Sequence, residues 1–249
     1  MNTRGWVIAA TIMAGGLLSV GSVAQPAGAR AAAPHRETPA SPIVVELFTA
    51  QGCSDCLDAN AAVEAASDEP GVIALTYGVD YWDYLGWSDT FARPKFTERQ
   101  RAYRSALRLR NVSTPQVVIG GHRQVSGARA ELDAVLSEEA ARLVYPPQIE
   151  FRETGRAVGV GSGRVPPGGA EVLAVTYVPG SQVVDVARGD NRGRSVRHVN
   201  VVRDIVRLGD WSGRPRLYDL PTALSEGEAM VVLVQDKRDR RIIGAATRD

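Results

Sequence analysis

Cys53-Ser54-Asp55-Cys56 sets two thiols three positions apart in a chain of 249 residues that carries no other cysteine. Two intervening residues let such a pair close into a small ring and reopen at moderate potential, which is the chemistry of thiol–disulfide exchange. Leu57 to Ala66 is rich in alanine and favours helix. The pair therefore stands at a helix start, where free backbone N–H groups and the positive end of the dipole favour a thiolate. In that geometry Cys53 is the exposed nucleophile and Cys56, one turn further on, resolves the mixed disulfide. Asp55 and Asp58 bring negative charge to the same turn, which opposes the thiolate. A less acidic Cys53, and a weaker oxidant, are expected.

Two other chemistries use the same residue types. A permanent bridge is one, although a loop this short constrains the unfolded chain little. A zinc site is the other. It needs about four ligands, and His35, His122 and His198 are far apart in sequence. No metal and no cofactor are expected.

Three further sets of residues belong to the candidate site. Glu46 is the one charged residue in an apolar strand; it is either a buried proton acceptor for Cys56 or a strand carboxylate paired with Lys or Arg. Trp82 and Trp87 lie in a segment dense in aromatics, Asp80 to Phe96. They either pack a helical insertion onto a sheet or form an apolar rim that receives a peptide substrate. Thr114-Pro115 comes just before a strand, and proline is the residue that makes a cis peptide bond accessible.

The elements that must position these groups follow from the apolar pattern. Pro42–Phe48 reads as a buried strand, Leu57–Ala66 as a helix and Val72–Tyr77 as a second strand, a βαβ order. Thr97–Leu109 is a charged helix, Gln116–Ile119 a strand, Gly120-Gly121 a hairpin turn, and Ala130–Val144 a closing helix with Leu143 in its apolar stripe. This is the order of an α/β, thioredoxin-like domain over residues 42–146, in which Thr114-Pro115 holds the place of a cis-proline facing the redox pair. There it would aim a backbone edge at an extended peptide. After Pro146-Pro147, short strand-like runs separated by Gly and Pro predict an all-β antiparallel, sandwich-like domain over residues 147–249.

Residues 1–33 carry Arg4, an uncharged apolar run from Trp6 to Val23 and small residues suited to cleavage, the pattern of a signal peptide. An uncleaved membrane anchor is the alternative. Residues 34–41 read as a disordered lead-in. The expected protein is exported, to the periplasm, cell envelope or outside, with no transmembrane span in the mature chain. The net charge of +1 argues against nucleic acid as a partner.

Four runs carry a family resemblance: Val45 to Cys53, Val79 to Trp87, Phe96 to Gln100 and Thr114 to Gln116, joined by His198 to Arg203. Through them the chain resembles the bacterial domain-of-unknown-function 1223 family, exported proteins with a thioredoxin-like domain. The resemblance implies the fold and the redox pair. It differs from the family pattern at Leu57, where the family often has Pro, and at Gly78, where the family usually has His. The leading functional expectation is an enzyme that exchanges disulfides with exported protein or peptide thiols and with a separate redox partner. The other is a cell-envelope binding module in which Cys53–Cys56 is a structural staple.

Overall fold

The computed structural model describes residues 41–221 and 224–248. The signal-peptide reading, and the lead-in up to residue 40, lie outside the described residues. Strand β1 (Ile43–Thr49) is buried along almost its whole length, as a run of apolar residues on both faces requires. It passes through a single 3-10 turn (Ser54–Cys56) into helix α1 (Leu57–Ser67). The chain returns as β2 (Val72–Gly78), parallel to β1 in the register Ile43↔Val72 to Thr49↔Gly78. Helix α2 (Pro94–Ala106) starts at a proline, whose missing N–H is harmless in the first helical turn. Strand β3 (Gln116–Ile119) then runs antiparallel to β1, and a tight turn leads into β4 (Arg123–Val125). Gly120 and Gly121 both adopt positive φ in that three-residue turn, a conformation glycine reaches at no steric cost. A Cβ on Gly121 would stand 2.0 Å from the Arg240 carbonyl oxygen, so only glycine fits there.

Helix α3 covers Arg129–Ala140 and stops short of the expected Val144. Leu143, Val144 and Tyr145 are left outside it and exposed, so Leu143 does not join a core stripe.

The second half overturns the expected arrangement of a thioredoxin-like domain followed by a separate all-β domain. It supplies β5 (Ile149–Phe151), β6 (Ala157–Val160), β7 (Ala170–Asp185), β8 (Ser195–Trp211), β9 (Arg216–Asp219), β10 (Ala229–Asp236) and β11 (Ile242–Arg248). Four of these join the first half in one mixed eight-stranded sheet, in the order β11-β10-β7-β8-β2-β1-β3-β4. The junction is a parallel contact of β8 with β2 at Thr76↔Val201. Strands β5, β6 and β9 form a separate three-stranded antiparallel sheet. The expected helical insertion is also absent: before α2 begins at Pro94, the aromatic segment holds a 3-10 turn at Asp83–Leu85 and no other helix.

The physical reason lies in β7 and β8. Runs that read as separate strands are two long strands paired from Ala170↔Trp211 to Asp185↔Ser195, the pairing continuing through three shifts of register. At about 3.3 Å per residue each spans roughly 50 Å. Local periodicity marks their apolar faces, but it does not say that β8 pairs at the edge of β2.

The sheet is curled, so that strands far apart in its order meet. The Ile242 N–H donates to the Gly120 carbonyl at 2.9 Å, which brings β11 back to the β3–β4 turn. On the inner face Val44, Phe48 and Tyr77 share a core with Val175, Val231 and Leu233, and α2 fills the space with Phe96 and Tyr103. The outer face carries α1 and α3 over β1 through Val63, Leu132 and Leu136. Elsewhere the outer face is covered by the small sheet, with Val158 and Tyr218 in one core with Val172 and Val232.

His198, in β8, is buried with its ring 5.5 Å edge-on from Phe91, and its Nδ1 has no hydrogen-bond partner among the described residues. Burial pushes its pKa down to about 4. Below the ordinary value of about 6.5 the unfolded chain takes up a proton that the folded chain refuses, so stability falls as pH drops from there toward 4. His198→Gln is expected to reduce that acid-induced loss by about 3 kcal/mol at pH 4. Urea denaturation at pH 7 and pH 4 measures the difference.

Candidate functional site

Cys53 and Cys56 are joined in a disulfide. Cys53 is in extended conformation, its N–H donating to the Ala50 carbonyl at 3.1 Å, and Cys56 immediately precedes α1. The bridge thus lies at the helix start. The expectation of an exposed Cys53 is corrected: both cysteines are 0% exposed, while Ser54 and Asp55 between them face solvent.

The turn that carries the bridge is fastened from the other half of the chain. At the tip of the β7–β8 ribbon, Asn191 is fully buried and its Nδ2 donates to the carbonyls of Gln51 and Cys53, each at 2.9 Å. The tip is a loop closed by Gly193 N–H to the Val186 carbonyl at 2.8 Å. Gly189 adopts positive φ, and a Cβ there would sit 3.8 Å from the Gly52 Cα, so the two backbones nearly touch. The ribbon is moored along its length. Thr49 donates to Asn60 Oδ1 at 2.9 Å, Asn60 donates to the Arg197 carbonyl at 3.0 Å, and Arg197 pairs with Glu64 at 2.7 Å.

A second layer of contacts ties the aromatic segment to the cysteine turn through Gln51. Its N–H donates to Asp89 at 2.6 Å, its side-chain amide donates to Thr90 at 2.8 Å, and the Trp87 indole donates to its Oε1 at 2.9 Å. Burial raises the pKa of Asp89, against the pull of the N–H groups of Gln51, Phe91 and Ala92. Trp82 donates to Thr114 Oγ1 at 2.7 Å, and the Thr114–Pro115 peptide bond is cis. Both indoles are half-buried and fastened by their N–H groups, and Trp82 packs on the core that holds the two cysteines. Tyr84, at 80% exposed, is the open aromatic of this segment.

Glu46 takes the second of its two expected roles. It is fully buried, and Arg99 donates to its two carboxylate oxygens at 2.7 and 3.0 Å. The Tyr103 hydroxyl donates to the same carboxylate, and Gln235 of β10 donates to Tyr103 at 2.9 Å and accepts from Arg99 at 3.2 Å. Both carboxylate oxygens are engaged by Arg99 and Tyr103.

Asn191, Gln51 and Asp89 were not singled out from sequence. Gln51 stands beside the cysteines and was within reach of that reading. Asn191 sits in Gly189-Asp190-Asn191-Arg192-Gly193, which reads only as a turn. Among the described residues no group of three or more His, Cys, Asp or Glu is placed to hold a metal ion. No described helix is long and apolar enough to cross a membrane.

A family model described as "Protein of unknown function (DUF1223)" matches residues 44–235. The crystal structure of protein AGR_C_4864 from Agrobacterium tumefaciens is 31% identical to the chain, covers 84% of it and 95% of its own length, and superposes with a TM-score of 0.65. A structure described as endonuclease/exonuclease/phosphatase, from Beutenbergia cavernae, is 19% identical over 41% of the chain and 22% of its own, with a TM-score of 0.18, and carries no argument. No protein among those with curated descriptions matches.

Two expectations follow. Arg99→Met leaves the Glu46 carboxylate buried without its partner, and should cost about 3–5 kcal/mol in urea unfolding, part of it regained in the double variant with Glu46→Gln. Asn191→Ala strips the Gln51 carbonyl of its side-chain donor and leaves the Cys53 carbonyl only the Cys56 N–H at 3.3 Å, for about 1–3 kcal/mol. It should also speed reduction of the bridge by dithiothreitol at least tenfold under native conditions, as read by thiol trapping.

Proposed function

The chain belongs to the DUF1223 family, and we propose that it is a thiol–disulfide oxidoreductase acting on exported proteins through Cys53 and Cys56. The observation that carries the proposal is the bridge itself: a lone two-residue-spaced disulfide at the start of α1. That placement favours the thiolate form of the leaving sulfur.

In the oxidising direction a partner thiolate attacks the Cys53 sulfur, the Cys53–Cys56 bond breaks, and the electron pair leaves on Cys56. A second partner thiol, once deprotonated, attacks its own sulfur in the mixed disulfide and expels Cys53 as thiolate. The partner is oxidised by two electrons, the pair is reduced, and the two protons released by the partner end on the two cysteines or in solvent. The reverse sequence reduces a partner disulfide. In either direction a separate redox partner resets the pair. Asp55 and Asp58 are exposed beside the bridge and oppose build-up of negative charge there, which supports a weak oxidant. Half-buried Trp82 and Trp87 flank the turn and form the apolar ground on which a partner peptide would rest. Export is supported by the apolar stretch between Trp6 and Val23.

The zero exposure of both sulfurs favours a second reading, a cell-envelope binding module in which the bridge is a permanent staple. The two readings part on one requirement. Exchange needs the buried turn to open, because a nucleophile must reach a sulfur in line with the bond.

Equilibrating purified protein in glutathione and dithiothreitol buffers and trapping free thiols gives the reduction potential. A value between about −120 and −270 mV is expected of an exchange enzyme. A potential below about −300 mV, or a bridge that reduces only on unfolding, sinks the enzymatic reading and leaves the staple.

A further inference from the structure

A cavity of about 320 Å³ opens where β1 begins, at the end of the sheet remote from the disulfide. The six steps of β1 from Ile43 to Thr49 alone separate the two by roughly 20 Å. The volume is at the lower end of the range of about 300–1,000 Å³ found for small-molecule sites. Its floor is apolar, with Ile43, Val44, Ile242 and Ile243 contributed by the two strands that the curl of the sheet brings together.

Its rim is cationic. Arg142, Arg164 and Arg241 all line it, against a single carboxylate, Glu139. Glu139 is already matched: Arg142 donates to it at 3.0 Å and the His122 Nε2 lies 3.2 Å away. Arg164 and Arg241 form no ion pair with any carboxylate among the described residues, so the mouth carries uncompensated positive charge. A second observation points the same way. Val144, Tyr145 and Val165 line the cavity and are exposed, Tyr145 at 85%, because α3 ends at Ala140 and releases the segment that follows. Large apolar side chains left in water around a concave apolar floor mark a binding surface.

An apolar floor calls for a hydrocarbon chain, and unpaired guanidinium groups call for a carboxylate, with which arginine forms paired, charge-assisted hydrogen bonds. We propose that this cavity binds a single-chain amphiphile with an anionic head, of the fatty-acid class, its chain between β1 and β11 and its carboxylate at Arg164 and Arg241. The proposal stands whether or not Cys53 and Cys56 exchange disulfides.

The test is calorimetric titration of the full chain with octanoate, decanoate and dodecanoate, each below its micelle concentration. Affinity should rise up to about fourfold per methylene until the cavity is full. Dodecyltrimethylammonium should bind at least tenfold more weakly than dodecanoate. The double variant Arg164→Gln, Arg241→Gln should erase that preference with an unchanged unfolding midpoint, since neither side chain is paired in the fold. Val165→Trp, at the exposed mouth, should block binding of all three carboxylates. Absence of dodecanoate binding, affinity independent of chain length, or equal binding of the cationic amphiphile would each overturn the proposal.

Discussion

The edge of β2 is where the two halves of this chain become one structure. Strand β2 is buried along most of its length, so an unpaired edge there would leave backbone groups without partners in an apolar setting. Strand β8 closes that edge with the parallel contact at Thr76↔Val201, and side chains reinforce it: Thr76 donates to the Val199 carbonyl at 2.6 Å, and Asn200 donates to the Ala74 carbonyl at 3.0 Å. Once β8 is fixed there, β7, β10 and β11 follow by antiparallel pairing. The same strand carries the ribbon tip out over the cysteine turn. Sheet continuity and the placing of the ribbon tip against the cysteine turn depend on this contact, while the Ile242–Gly120 hydrogen bond holds the curl from the other side.

The curl accounts for a polar centre that a flat sheet would not tolerate. Glu46 of β1 and Gln235 of β10 stand four strand positions apart in the sheet, yet both bond to Arg99 and Tyr103 of α2. A buried ion pair contributes little net stability against an apolar replacement, because desolvation of both charges offsets their attraction. Its value here is directional. Arg99 has one set of acceptors that satisfies its guanidinium, and meeting it fixes the rotation of α2 inside the concave face.

The parts of this arrangement that were legible in sequence are local. Two cysteines at the start of an alanine-rich helix, the strand–helix–strand order from Ile43 to Gly78, and the Gly120-Gly121 turn each depend on residues within a few positions of one another. The family resemblance was legible too, carried by long runs such as Val45 to Cys53. What escaped was set by partners distant in the chain. The apolar alternation of β7 and β8 shows which faces are buried, but edges have no side-chain signature, so the joining of the two halves was invisible. Glu46 was recognised as anomalous, and its partner Arg99 was not identifiable because α2 is charged on many sides. Asn191 was hidden more deeply, since an asparagine between two glycines has the same composition whether its turn waves in water or closes on a buried carbonyl.

The distance in sequence between the bridge and the ribbon tip that fastens its turn sets an order of events. Cys53 and Cys56 meet within a single turn of chain, whereas Asn191 lies 138 residues beyond Cys53. Local closure outruns long-range pairing, and a chain that emerges from its amino end displays its thiols well before the ribbon has been made. The oxidation state of the pair is therefore written early, by whatever redox surroundings the nascent chain first meets. The arrival of the ribbon then fastens the turn that carries the pair, so the mature fold begins its service in whatever state that first encounter left.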